Sequence, residues 1–234
     1  IDEWNMWLQR KVAGTVAAEL LAGPHGPTVA VRIAAALAKL HAQGPPTERL
    51  HSLDDELAIL RDRLETLSAN RPRWKHRLAA VLAKCERIAA NLPAPRSTPV
   101  HRDFYPDQVM LDGTKVCLCD LDLYCVGDPA LDVGNFVAHL IELGLREYDD
   151  PAFFNPSSAA LIDAYCSLRS AKHEPSIEGY TMLSLGLILE DSHIAGDGLP
   201  LPEFTSSEAM IPHPIYDPQT GALIKVLLIP CPHT

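Results

Sequence analysis

Four residues are best suited to do chemistry here: His101 and Asp103, an amide five residues on at Gln108, and Asp120 at the end of an apolar run. A carboxylate can take a hydroxyl proton when it is held within hydrogen-bond reach of it, and Asp103 is the candidate for that role. His101 can hold the loop by bonding to backbone or to a carboxylate. Gln108 offers a neutral amide oxygen, a hard donor suited to Mg2+, and Asp120 offers a carboxylate to the same cation. Asp122 reads equally as a second metal contact or as a solvated turn residue. One base, one amide and a metal carboxylate around a point are the minimum for Mg2+-assisted phosphoryl transfer, where catalysis is mostly positioning and charge neutralisation.

The elements that must position these residues are legible around them. Pro93, Pro95 and Pro99 predict an extended lead-in. Val109-Met110-Leu111 is a short apolar run, Asp112-Gly113 is a hairpin turn signal, and Val116-Cys117-Leu118-Cys119 is the return strand. Such a hairpin brings Asp103 and Asp120 together although they are 17 residues apart. Asp128 with Pro129 opens a helix that carries Val133, Phe136, Val137, Leu140 and Ile141 inward. Asp128 is read as its cap only, and Asp107 as a surface turn residue.

Upstream, the spacing predicts helices over 3–21 (Trp4, Leu8, Val12, Val16, Leu20) and from a Thr28 cap to about His41. His41 is read as a helix-end histidine packed on the core. Ser52 with Asp55 forms a capping box before Leu53, Leu57, Leu60, Leu64 and Leu67. Pro72 opens a further helix with Trp74, Leu78, Val81, Leu82, Cys85 and Ile88 inward. Downstream, helices are expected at 157–170 from Ser157 and 176–191 from Ser176. Beyond Gly196 the chain is punctuated by Pro and Gly, with a strand at about 222–229 expected to pair outside the chain or with missing material.

The 234 residues carry a net charge of −10, which argues against nucleic acid, since phosphate backbones require a basic face, and mildly favours a cationic ligand. No apolar run is long enough to span a membrane, and no signal peptide is visible, so a cytoplasmic setting is expected. The cysteines 85, 117, 119, 125, 166 and 231 lack zinc or redox spacing and read as structural thiols. Oligomeric state is not legible. Glu142, Glu147, Asp149, Asp150, Asp163, Glu190 and Asp191 could line a site for a cationic substrate but read more simply as surface charge.

His101-Arg102-Asp103, Gln108 and Asp120-Leu121-Asp122 resemble the H-R-D-x-x-x-x-N loop and metal-binding hairpin of protein kinases. Gly127-Asp128-Pro129-Ala130-Leu131-Asp132 and the Leu40-His41 helix end resemble the aminoglycoside phosphotransferase and choline kinase branch of that fold. The resemblance covers residues 1–195. It implies an α+β, protein-kinase-like fold: a mainly helical C-lobe with a short β-hairpin carrying the catalytic loop. That C-lobe would be 1–198, with the catalytic loop within 100–122, and 199–234 a Pro-rich tail. An N-terminal lobe is expected to be absent, since no Gly-rich nucleotide loop or strand Lys is found, and phosphate transfer by the chain alone is expected to be poor.

The resemblance further implies Asp103 as catalytic base, supported by His101. Gln108 stands where the family has Asn. Gln108 and Asp120, with Asp122, would hold Mg2+ and the phosphates of ATP or GTP. Asp132 would stabilise the lobe around the loop. The implied activity is ATP-dependent phosphorylation of a small-molecule hydroxyl. Two other readings stand beside it: a kinase-like binding module impaired in catalysis, or an aspartate-nucleophile phosphatase or D-x-D glycosyltransferase using Asp120 and Asp122.

Overall fold

Short-range signals set the helices, and long-range pairing sets the strands between them. The computed structural model describes residues 12–94, 96–169 and 175–191, and the strands at 210–216 and 223–230. After the short β1 (Thr15–Val16) and α1 (Ala17–Leu21) come α2 (Gly26–Gln43) and α3 (Leu53–Asn70). A 3-10 turn at Pro72–Trp74 leads into α4 (Lys75–Ala90). The central segment holds β2 (Thr98–Val100), β3 (Val109–Asp112), β4 (Lys115–Leu118) and β5 (Cys125–Gly127). Three further helices follow: α5 (Pro129–Tyr148), α6 (Asn155–Leu168) and α7 (Pro175–Asp191). A hairpin of β6 (Met210–Tyr216) and β7 (Leu223–Pro230) comes last.

The capping box before α3 is present: the Ser52 hydroxyl accepts from the Asp55 N–H, and Asp55 accepts from the Ser52 N–H. Leu57, Leu60 and Leu64 bury its apolar face. Asp128 caps α5 by accepting from the Ala130 N–H at 3.0 Å, with Pro129 in the first turn as expected. α5 is the central helix, its buried face running from Leu131 to Leu145. It packs so closely on α7 that a Cβ at Gly134 would fall 2.7 Å from the backbone nitrogen of Thr181. The core is one cluster that includes Ile33 and Leu37 of α2, Leu60, Leu78, Phe104, Phe136, Leu140, Leu161 and Tyr180.

Several local expectations are corrected. The helix expected over 3–21 lies partly outside the described residues, and within them Thr15–Val16 is a strand. Gly14 has a φ of +121°, a conformation no helix contains, and Thr15 and Val16 pair with Leu111 and Met110. The result is a three-stranded antiparallel sheet, β1-β3-β4, where a two-stranded hairpin was expected. α2 begins at Gly26 with Pro27 in its first turn, so Thr28 is not its cap. α6 begins at Asn155, two residues before the expected Ser157. β7 pairs with β6 of the same chain, Met210 opposite Pro230, where a partner from outside the chain or from missing material was expected.

The extended lead-in also has a partner: β2 pairs antiparallel with β5, Val100 opposite Cys125. Cys85, Cys125 and Cys166 are buried, and burial pushes the Cys85 thiol up to about 12, as structural thiols behave. Among the described residues no three His, Cys, Asp or Glu side chains form a metal-binding group, and no helix is long and apolar enough to cross a membrane. Cys231 lies outside the described residues.

Candidate active site

β2 ends at Val100 and delivers His101, Arg102 and Asp103 into a loop that three helices hold from beneath. Asp132, fully buried on α5, accepts from the His101 N–H (2.7 Å, Oδ2) and the Arg102 N–H (2.7 Å, Oδ1). Its Oδ2 also lies 2.8 Å from Nε2 of His41 at the end of α2. The other ring nitrogen of His41 is 2.7 Å from the Tyr165 hydroxyl of α6. One carboxylate therefore ties the loop to α2, α5 and α6. Hydrogen bonds to a charged acceptor contribute about 1.5–3 kcal/mol each. His41 is packed in the core as expected, and it also belongs to this clamp.

The clamp holds an unfavourable conformation. Arg102 has a φ of +73°, in the left-handed region that costs a non-glycine residue roughly 1–2 kcal/mol. Its side chain lies 3.9 Å from Glu56, which His51 also contacts at 2.5 Å. Neither Glu56 nor His51 stood out in the sequence; their contact spans a turn ahead of α3. Asn135 of α5 adds a hydrogen bond to the carbonyl of Phe104 at 3.2 Å.

Asp103 is half-buried at the loop tip. Burial pushes its carboxyl above the ordinary 3.8; the His101 ring and Arg102 guanidinium oppose that rise, and the Asp120 and Asp132 carboxylates add to it. A carboxylate so placed is a better proton acceptor than a solvated one.

The hairpin expected from Asp112-Gly113 is present, with a continuous register. β3 and β4 pair with Val109 opposite Leu118 and Leu111 opposite Val116, joined through Gly113 at φ +53°. Arg32 of α2 donates to the Gly113 carbonyl at 2.5 Å and holds the tip. Cys119 is the junction: its N–H donates to the Gln108 carbonyl at 2.8 Å, and its carbonyl accepts from His101 Nε2 at 2.8 Å. His101 thereby connects the loop to the residue just before Asp120.

Asp120 is exposed, with a φ of +57° that Asp tolerates better than most residues. Its Oδ2 lies 3.4 Å from Gln108 Nε2, so the two head groups converge. Asp122 stands in an exposed turn, where its backbone carbonyl accepts from Arg49 at 2.5 Å. The Gln108 amide nitrogen faces the exposed Asp120 carboxylate, which leaves the amide oxygen without a protein donor in this contact. A carboxylate and an amide side by side at the surface are donor types Mg2+ accepts, its shell being completed by phosphate and water.

Tyr105 was missed by sequence reasoning. It lies three residues before Gln108, and its hydroxyl is 3.1 Å from Gln108 Nε2. Only the folded 3-10 turn at Pro106–Gln108 makes that contact possible.

Over residues 2–169 the chain matches the phosphotransferase enzyme family. It belongs to that family. No curated protein matches the chain. Among solved structures, an aminoglycoside phosphotransferase from Streptomyces rimosus is similar at a TM-score of 0.56 and 18% identity, covering 75% of this chain and 67% of that one. A choline/ethanolamine kinase family protein from Mesorhizobium loti has a TM-score of 0.54 and 19% identity, with coverage of 80% and 63%. A glucosamine kinase has a TM-score of 0.53 and 18% identity, with coverage of 73% and 52%. The chain thus spans about half to two thirds of these proteins' lengths. The kinase-like fold and the family expected from residues 100–140 are borne out.

Proposed function

We propose that the chain carries the catalytic base and the cation-binding side chains of a nucleotide-dependent phosphotransferase acting on a hydroxyl of a small molecule. The observation that carries this reading is the approach of Gln108 to Asp120 at 3.4 Å beside an Asp103 whose carboxyl is raised chiefly by burial and further by Asp120. In this reading the helices around the site form the helical lobe of a kinase-like fold. ATP or GTP is the donor, as suggested by relatives solved with ADP.

Asp103 accepts the proton of the attacking hydroxyl and must be ionised to do so. His101 sets the loop through Cys119, and Asp132 keeps it from relaxing. Gln108 and Asp120, with Asp122 as a further carboxylate, hold Mg2+. That cation, when bound, neutralises the phosphate charge that develops during transfer. The acceptor is a small polyhydroxy or amino-alcohol compound, and the net charge of −10 favours a cationic one. Relatives bound to streptomycin and to glucosamine point the same way.

The test is calorimetric titration of Mg2+·ATP and Mg2+·GTP into the protein and its Asp120→Ala variant, with transfer of labelled γ-phosphate to a panel of amino sugars and amino alcohols. Binding that needs Asp120, with transfer that needs Asp103, is expected. Binding without transfer to any acceptor would instead make the chain a kinase-like binding module. Absence of nucleotide binding would overturn the reading.

A further inference from the structure

We propose that Tyr105 is the positioning residue for Gln108: its hydroxyl holds the amide nitrogen, so that the amide oxygen is the atom left to meet the cation. The inference rests on the metal role proposed above. Gln108 has one more rotatable bond than an Asn in the same place, so its head group needs an anchor to be a dependable ligand. Its backbone is already fixed, with the N–H donating to the Tyr105 carbonyl at 3.0 Å and the carbonyl accepting from the Cys119 N–H at 2.8 Å. The side chain is then fixed by its two amide protons. One points to the Tyr105 hydroxyl at 3.1 Å and the other to Asp120 at 3.4 Å.

A carboxylate can only accept, so the Asp120 contact selects the orientation with nitrogen inward. The Asp120 contact is the longer of the two and is the one a cation between these groups would displace. The Tyr105 contact is made by the Gln108 amide nitrogen, not by the oxygen that would meet the cation, and persists. Tyr105 can serve as an anchor because its ring stacks on His139 of α5, with centroids 4.7 Å apart and planes 27° from parallel. The helix that clamps the base loop through Asp132 therefore also seats the residue that orients the amide.

The test is a double-mutant cycle on the whole protein, read by binding of Mn2+ with ADP and followed by the paramagnetic signal of free Mn2+. Tyr105→Phe keeps the ring and removes only the hydroxyl. With Gln108 present, it should weaken Mn2+·ADP binding about three- to ten-fold, the size of one neutral hydrogen bond. With Gln108→Asn, whose amide is one methylene further from the hydroxyl, Tyr105→Phe should change binding by less than about two-fold.

A second readout needs no metal. The two proton resonances of the Gln108 side-chain amide should be well separated in the metal-free protein and should collapse toward each other in Tyr105→Phe. Equal weakening in both backgrounds, or an unchanged Gln108 amide pair, overturns the proposal. Failure of the metal reading itself looks different: Mn2+·ADP binding would then be insensitive to Asp120→Ala, while the Tyr105–Gln108 amide signature would remain.

Discussion

The base loop at 101–103 and the turn at 119–122 face each other across the site and are built on opposite terms. The loop is locked from below. Its two backbone N–H groups are held by the buried Asp132, which is itself held by His41. The turn is held through its backbone, by the junction at Cys119 and by Arg49 on the Asp122 carbonyl, while its acidic side chains are exposed; among the described residues Asp120 meets protein through the long approach of Gln108. On the proposed function, the group that would meet a reacting proton is fixed by protein, and the groups that would be completed by a cation and phosphates are left open. The difference would then separate what the fold supplies from what a ligand supplies.

The sharpest way to break that contrast is Asp132→Ala. It removes three contacts from the locked side and strands His41 in the core, so stability should fall by about 3–5 kcal/mol, read as the shift in a urea unfolding curve. The converse change, Asp103→Asn, should separate activity from stability. Phosphate transfer should drop about 10²- to 10⁴-fold. Because the folded Asp103 carboxyl is raised above 3.8, folding favours its protonated form, and its ionisation costs stability as pH rises through the folded value. The Asn variant should therefore be more stable than the parent at pH 7. Its advantage should disappear as the pH falls below 3.8, checked by thermal melts across that range.

On the open side, Asp120→Asn keeps a residue that tolerates positive φ, so the melting temperature should stay within a few degrees. Mg2+·nucleotide affinity should fall about ten-fold or more, the scale of one charge-assisted contact, as titration calorimetry would read. The smallest effect lies outside both regions. Ser52→Ala should cost about 1 kcal/mol through its lost cap and leave nucleotide affinity unchanged.

Features carried by neighbours in sequence are legible in the chain alone. The Ser52–Asp55 box, the Asp128–Pro129 start of α5 and the turn at Asp112-Gly113 are local chemistry. Features that depend on a distant partner are not. Val16 fits an apolar stripe at helical spacing, and only Met110, far along the chain, makes it a strand. His41 reads as a packed helix end because nothing local reveals Asp132 and Tyr165 as its partners. The strand at 223–230 is visible as an apolar run, but Pro212 and Pro214 hide its partner, because proline weakens the signature of a strand. The candidate site residues His101, Asp103, Gln108, Asp120 and Asp122 are picked out by order and spacing alone. Tyr105 is not, since a tyrosine in a loop carries no pattern.

α2 holds the far end of the hairpin and the clamp under the base loop at two points along its length. Arg32 grips the turn of the hairpin, and His41, nine residues on, grips the clamp beneath the base loop. A helix rises about 1.5 Å per residue, so those grips stand roughly 13–14 Å apart along a stiff rod. The helix is in effect a gauge block for the distance between the hairpin tip and the Asp132 clamp. Lengthening the loops at either end leaves the gauge unchanged. Deleting one residue between Arg32 and His41 would turn one grip by about 100° relative to the other and put both sides out of calibration at once.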